Sequence, residues 1–476
     1  MKRLSFLISG LLLFICTAFY SSAQTKDIAY YIANAPFKMA PVTVPAFPNK
    51  TFSITDYGAV GNGKKLNTEA IEKAITTCSD AGGGTVLIPA GVWLTGSIEL
   101  KSNVEIHTET GTVVSFTTDH SKYPMIKASK GSKKLVPASP IYGYDLNNIA
   151  ITGNGTFDGA GDSWRPVKKS KVSPDKWQEL LRQGGGLSSD GKVWWPDISV
   201  MDGDARPHLL YLVNCDNILL QDITLKNSPK FMFYPTRCTN LTMIGVHVYN
   251  EWWAQNGDGI DISACKGVVI YRCTVNAGDD GICMKSSGTP DDKDAANLAN
   301  VIIAGCTVYR AHGGFVIGSN TDGGMKNVYV TDCNYIGTDV GIRIKSNSGR
   351  GGWVRDIYVT NINMKDIVNE AVLFDTYYQD AAVGKKGSDD GAGNKIPDFR
   401  NIYISNIKCD GAQTAISITG LPEMKVKQIY FENMDITSGS GFVSKDAEDI
   451  YLKHVKIHTE EPVYKTNGCK NINITE

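Results

Sequence analysis

Short apolar runs separated by turns recur along the C-terminal half of the chain, and each opens on the same phrase. The openings are Ile218-Leu219-Leu220, Leu241-Thr242-Met243, Val268-Val269-Ile270, Val301-Ile302-Ile303 and Val328-Tyr329-Val330, then Ile357-Tyr358-Val359, Ile402-Tyr403-Ile404, Ile429-Tyr430-Phe431 and Ile450-Tyr451-Leu452. They fall roughly 21–33 residues apart, with one interval near 45, the spacing of solenoids and arrays. Inside each run the alternation has period two: in Gly341-Ile342-Arg343-Ile344-Lys345, Ile342 and Ile344 share a face. Asn or Asp stands at the turn before many openings (Asn217, Asn240, Asn300, Asn327, Asp356, Asn401), as turn chemistry favours. Helical solenoids need longer amphipathic stretches than this half contains. The pattern therefore predicts an all-β chain, a right-handed parallel β-helix whose coils bury their apolar faces only by stacking. A β-sandwich or propeller is the alternative that pattern alone leaves open.

The N-terminal half departs from the repeat in three places. Residues 68–78 read as a short amphipathic helix with Ala70, Ile71, Ala74 and Ile75 inward, suited to capping the open end of a solenoid. Residues 163–204 form an excursion rich in tryptophan (Trp164, Trp177, Trp194, Trp195) and lysine, and 379–399 form a second polar surface loop. Lys2 and Arg3 precede an apolar run that ends before Ser21-Ser22-Ala23, the layout of an export signal over 1–23. An N-terminal arm over 24–50 and a β-helix domain over 51–476 follow, and the expected location is periplasmic or secreted.

Composition narrows the class further. With 48 Lys+Arg against 49 Asp+Glu, the net charge of −1 argues against a general nucleic-acid or membrane-surface binder. No second apolar run is long enough to span a bilayer. Ten cysteines remain after Cys16, without a CxxC pair, and they read chiefly as buried small fillers rather than bridges. A monomer is expected.

Aligning coils by their alternation places Gly259-Ile260-Asp261-Ile262 on Gly281-Ile282-Cys283-Met284, then Gly314-Phe315-Val316-Ile317, then Gly341-Ile342-Arg343-Ile344. In that register Asp258 stacks on Asp280 and Asp279 on His312, while Arg343 and Lys345 point outward one and three residues past the apolar column. Adjacent strands are ~4.8 Å apart, so three acids, one histidine and two cations converge on one outer face. Taken singly, each is a common turn or surface residue. Together they place like charges on neighbouring coils, which costs stability unless chemistry uses them. Crowded carboxylates push one pKa up, leaving a proton donor beside a base, the pair that glycosidic hydrolysis requires. The fixed cations suit a carboxylate on the substrate.

At these residues the sequence resembles the family 28 glycoside hydrolases, the polygalacturonase-like pectinases. Asn256-Gly257-Asp258 stands where the family has Asn-Thr-Asp, followed in order by Gly278-Asp279-Asp280, His312-Gly313 and Arg343-Ile344-Lys345; Asp56-Tyr57-Gly58 and Gly82-Gly83-Gly84 also match. The resemblance implies an inverting hydrolase of pectic α-1,4-galacturonosidic bonds with no metal and no cofactor. It makes Asp279 the general acid, Asp258 and Asp280 the activators of water, and His312 the support of the acid's proton balance. Asn256, Arg343, Lys345 and Tyr377 would hold the sugar. Gly257 and Gly314 depart from the family pattern where substrate-end specificity can change. The excursion suggests a cleft obstructed as in exo-acting members, with its aromatics either stacking on sugar or pinning the excursion to the solenoid. Hydrolysis of a rhamnogalacturonan or xylogalacturonan backbone, a calcium-dependent pectate lyase and a non-catalytic β-helical binding protein are the rival readings.

Overall fold

The computed structural model describes residues 26–127, 133–201, 205–288, 296–378 and 396–475. They form a right-handed parallel β-helix with three strand faces per coil. The predicted register holds: Ile218 pairs with Leu241, Leu241 with Val268, Val268 with Val301 and Val301 with Val328. The ladder continues through Ile357, Ile402, Ile429 and Ile450. All these residues are buried, so each column is one row of a continuous core.

The turn residues explain how the register is kept. Asn217, Asn240, Asn300, Asn327, Asp356 and Asn401 all adopt left-handed backbone, φ between 51 and 59°. Asn tolerates that region because its short polar side chain bonds locally. Asn217 Nδ2 donates to Asn148 Oδ1 at 3.0 Å, and Asn327 Nδ2 to Asn300 Oδ1 at 2.9 Å.

The capping helix α1 spans Thr68–Asp80, two residues longer than expected, and buries Ile71, Ala74, Ile75 and Cys78 over the first coil. Ala70 packs at the edge of the same core. The arm is a strap along the outer wall. A short helix over Ile28–Ala33 packs Tyr31 on Val269, Tyr271 and Ile302, and Tyr31 Oη donates to Asp332 at 2.9 Å. Residues 1–23, read as an export signal, lie outside the described residues.

The excursion is a folded subdomain rather than a loose loop. The strand Val193–Trp195 pairs antiparallel with Val167–Lys168 and Gly186–Leu187, and the helix Pro174–Arg182 closes over them. Trp177 and Trp194 pack inside it, and Trp164 stacks on His120 with ring centroids 3.4 Å apart. These three rings are buried, so they pin the subdomain and are closed to sugar. The end of the excursion, 202–204, and residues 379–395 of the second loop lie outside the described residues. Asp398–Phe399 at that loop's close is a strand on Trp353–Val354.

Nine of the ten described cysteines are buried, and all ten are unbridged, as fillers should be. Among the described residues no helix is long and apolar enough to cross a membrane.

Candidate active site

One strand face carries the chemistry. Ile260 pairs with Ile282, Ile282 with Phe315 and Phe315 with Ile342, the alignment read from the alternation. The glycine column just ahead of it is a steric requirement. A Cβ at Gly259 would meet the Gly281 carbonyl oxygen at 2.7 Å, and one at Gly281 the Gly313 oxygen at 2.8 Å. Only glycine lets the coils close to sheet spacing where the acid-bearing turns enter the strands.

Asp258, Asp279 and Asp280 have carboxylate oxygens within 4.8 Å of one another. His312 sits against Asp279, Nδ1 to Oδ1 3.0 Å, and its backbone N–H donates to the Asp279 carbonyl at 2.8 Å. Asp280 is tied to both expected cations: Lys345 Nζ lies 2.7 Å from Oδ2 and Arg343 Nη1 3.4 Å from Oδ1. Lys345 is 3 % exposed, whereas the Arg343 side chain keeps 17 % of its surface open. The two cations therefore differ: Lys345 holds Asp280, and Arg343 also reaches the open side. Asn256 adopts φ +52°, and its Oδ1 accepts from Arg206 Nη2 at 3.1 Å. Tyr377 is 9 % exposed, and its backbone N–H donates to Asp375. The ring that faces the cations belongs to its neighbour Tyr378, 4.6 Å from Lys345 Nζ and 5.5 Å from the Arg343 guanidinium. Tyr377, which the resemblance gives to the sugar, lies next to it in the chain.

Sequence reasoning missed a buried pair behind the acids. Lys285 Nζ lies 2.8 Å from Asp261 and 3.5 Å from Asp258, and Asp261 is fully buried. The signal was available. Asp261 holds in its coil the outward offset of Arg343, and Lys285 the offset of Lys345. Asp339, 3.8 Å from His312 Nε2, and Arg206 were also missed; both come from turns that no alternation marks.

The electrostatics follow from counting charges. Asp258, Asp261, Asp279 and Asp280 face three fixed cations, Lys285, Arg343 and Lys345, so one carboxylate lacks a countercharge. Burial pushes the Asp258 carboxyl well up, with Asp261 and Asp279 adding repulsion that Lys285 only partly offsets. Asp258 Oδ1 has no hydrogen-bond partner. Burial also raises Asp280, but Lys345, Lys285 and Arg343 outweigh it and hold that carboxyl below the usual range. Environment thus pushes neighbouring carboxyl groups apart, Asp258 and Asp261 upward and Asp280 downward, which is the kind of division general acid–base catalysis needs. On distance alone three carboxylates can hold a hard cation, but the three basic side chains already supply that charge.

Known proteins resemble this chain over most of its length. Residues 167–473 match the model of glycosyl hydrolases family 28, and residues 51–171 match that of rhamnogalacturonase A/epimerase, pectate lyase-like. A protein of Dickeya chrysanthemi described as an exo-poly-alpha-D-galacturonosidase is 26 % identical over 460 residues, covering 91 % of this chain and 75 % of its own length. A probable polygalacturonase of Vitis vinifera is 28 % identical over 397 residues, covering 81 % and 74 %. The crystal structure of a hyperthermoactive exopolygalacturonase from Thermotoga maritima superposes with a TM-score of 0.69 at 25 % identity, covering 92 % of this chain and 95 % of its own.

Proposed function

Because the chain belongs to the glycosyl hydrolases family 28 and is a glycosidase, we propose that it hydrolyses α-1,4-galacturonosidic bonds of pectin, acting from the chain end. The observation that carries this reading is the cluster of three aspartates within 4.8 Å, walled by Lys285, Arg343 and Lys345. Acids supply proton and base, and a cationic rim suits a polyanionic chain. The Dickeya and Thermotoga relatives, both described as exo-acting, support chain-end cleavage, as does a folded subdomain standing beside the site.

In the proposed mechanism the cluster holds one shared proton, which belongs to the interacting set rather than to a single residue. At rest it sits on Asp258. With substrate bound, the proton passes to the partly open Asp279, which delivers it to the glycosidic oxygen as the bond breaks. His312 steadies Asp279 meanwhile. Ionised Asp280, with Asp258 once it has lost the proton, takes a proton from the attacking water. Inversion at the anomeric carbon ordinarily goes with carboxyl groups about 6.5–9.5 Å apart, and retention with about 5–5.5 Å. The spacing here is short, yet Asp280 is locked in ion pairs to Lys345 and Arg343 and is a poor nucleophile. A water flanked by two carboxylates does not need the wide gap, so inversion is the proposed course.

The test is a product time course on polygalacturonic acid, with chelator and without, and proton NMR of the first product formed. Small saccharide from the start as the β-anomer, indifferent to chelator, is expected. A ladder of oligomers would make the enzyme endo-acting, the α-anomer would mean retention, and an unsaturated ultraviolet-absorbing end would mean a lyase. Asp279→Asn should lower turnover about 10²–10⁴-fold, the usual worth of a positioned proton donor. Cleavage of a rhamnogalacturonan backbone alone would favour the second model match, although its stretch, 51–171, contains none of the four acids. Export over 1–23 is proposed with this function, since the polymer lies outside the cell; a mature N-terminus at Gln24 in secreted protein is the expected sequencing result.

A further inference from the structure

Trp252 is 46 % exposed, on the turn that leads into Asn256 and Asp258. The excursion lays Lys171 against it, Nζ 5.2 Å from the ring centroid. No carboxylate among the described residues lies within 4.0 Å of that ammonium, whereas nearby Lys176 pairs with Glu179 and Arg165 with Asp162 and Glu251. Lys171 and Trp252 together form the shared wall of two hollows. One, of about 230 Å³, runs past Gly278 and His312 to Asp339, with Arg310 on its side. The other, of about 530 Å³, lies under the excursion between Trp194, Trp252 and Trp253. A half-exposed indole beside a cation with no carboxylate partner, in a hollow that His312 also lines, is what a sugar acid needs. The ring takes the apolar face of the pyranose and the ammonium takes its carboxylate.

We infer that Lys171 and Trp252 form a binding station for a galacturonate residue of the substrate chain away from the cleaved bond, where the excursion bounds the groove. This rests on the reading of the acid cluster as a polygalacturonate site. The station joins two parts of the chain that are far apart in sequence, so the excursion serves recognition as well as obstruction. Lys171 makes the station selective for free acid over methyl ester, because an ester offers no charge to the ammonium. Trp252 contributes to both forms alike.

The test uses the full chain carrying Asp279→Asn, which should hold substrate without turning it over. Binding of trigalacturonate and of its methyl ester is measured by calorimetry in that background, alone and with Lys171→Met or Trp252→Ala added. Lys171→Met should cut the preference for acid over ester about fivefold, Arg343 retaining the remainder. Trp252→Ala should weaken both ligands about tenfold, the loss of one aromatic contact on a partly exposed site. Unchanged affinities and preference in both variants would overturn the station. Unchanged binding with a lowered melting temperature would make the pair a latch for the excursion, and would overturn it equally. If the wild-type chain cleaves no polygalacturonate at all, the underlying reading fails and the station falls with it; cleavage with unaltered preference in Lys171→Met sinks the station alone.

Discussion

At the scale of single residues, the site is governed by who neutralises whom. Lys285 is shared between Asp261 and Asp258, at 2.8 and 3.5 Å, and among the described residues it is the cation paired with Asp258, whereas Arg343 and Lys345 pair with Asp280. Around Asp258 stand Asp261 three residues further along its own coil, Asp279, Asp280 and Lys285 on the next coil, and Arg343 and Lys345 beyond Asp280. Two substitutions should move the proton in opposite directions. Lys285→Met removes a positive charge beside Asp258, so its carboxyl rises further and the basic limb of kcat/KM moves to higher pH. Asp261→Asn removes a repelling charge and leaves Lys285 to Asp258, so the limb moves to lower pH. The sign follows because activity requires the cluster's proton and disappears as pH climbs through the raised pKa. Basic limbs that stay put in both variants would remove Asp258 from the proton's path. Asp258, Asp279, Asp280, His312, Arg343 and Lys345 were legible because alternation and order located them. Asp261 and Lys285 sat on the same offsets and were passed over, since an ion pair between neighbouring coils is visible only once both side chains have rotamers.

At the scale of elements, the turns carry as much of the register as the strands do. Asn327 combines left-handed backbone at φ 57° with a rung of the asparagine ladder to Asn300. Asn327→Ala should destabilise by about 1–2 kcal/mol, since alanine has a Cβ that resists that region and no amide to bond. Asn327→Gly should cost less, because only the rung is lost. The comparison is read from melting temperatures, and an equal loss in both variants would place the cost in the hydrogen bond alone. A second ladder runs beside it: Tyr358, Tyr403, Tyr430 and Tyr451 stack with centroids 4.7–5.1 Å apart. Each tyrosine follows the isoleucine that opens its coil, so the openings already implied the stack. The helix over the first coil was legible from its 3.6-residue spacing. The subdomain was not, because two- and three-residue strands carry no periodicity to read.

At the scale of the whole molecule, a straight solenoid offers a groove open at both ends, and the excursion is what changes it. Lys168 faces Val193 across an antiparallel pair, so the chain between them can be replaced by a two-glycine turn without moving the neighbouring coils. That variant should still cleave polygalacturonate but yield a ladder of oligomers early in the time course; small saccharide as the sole early product would show that the subdomain does not impose chain-end action. The sequence by itself determined the coil repeat, the direction of its apolar face and the order of the catalytic motifs, because period-two alternation and turn chemistry are local and each coil repeats them. Only the tertiary structure decided that the Tyr378 ring faces the cations, that Trp177 and Trp194 are the excursion's own core, and that the Asp258 carboxyl is pushed up while that of Asp280 is held down. Those outcomes depend on burial and on charges brought together from different coils, and neither quantity exists until the coils have stacked.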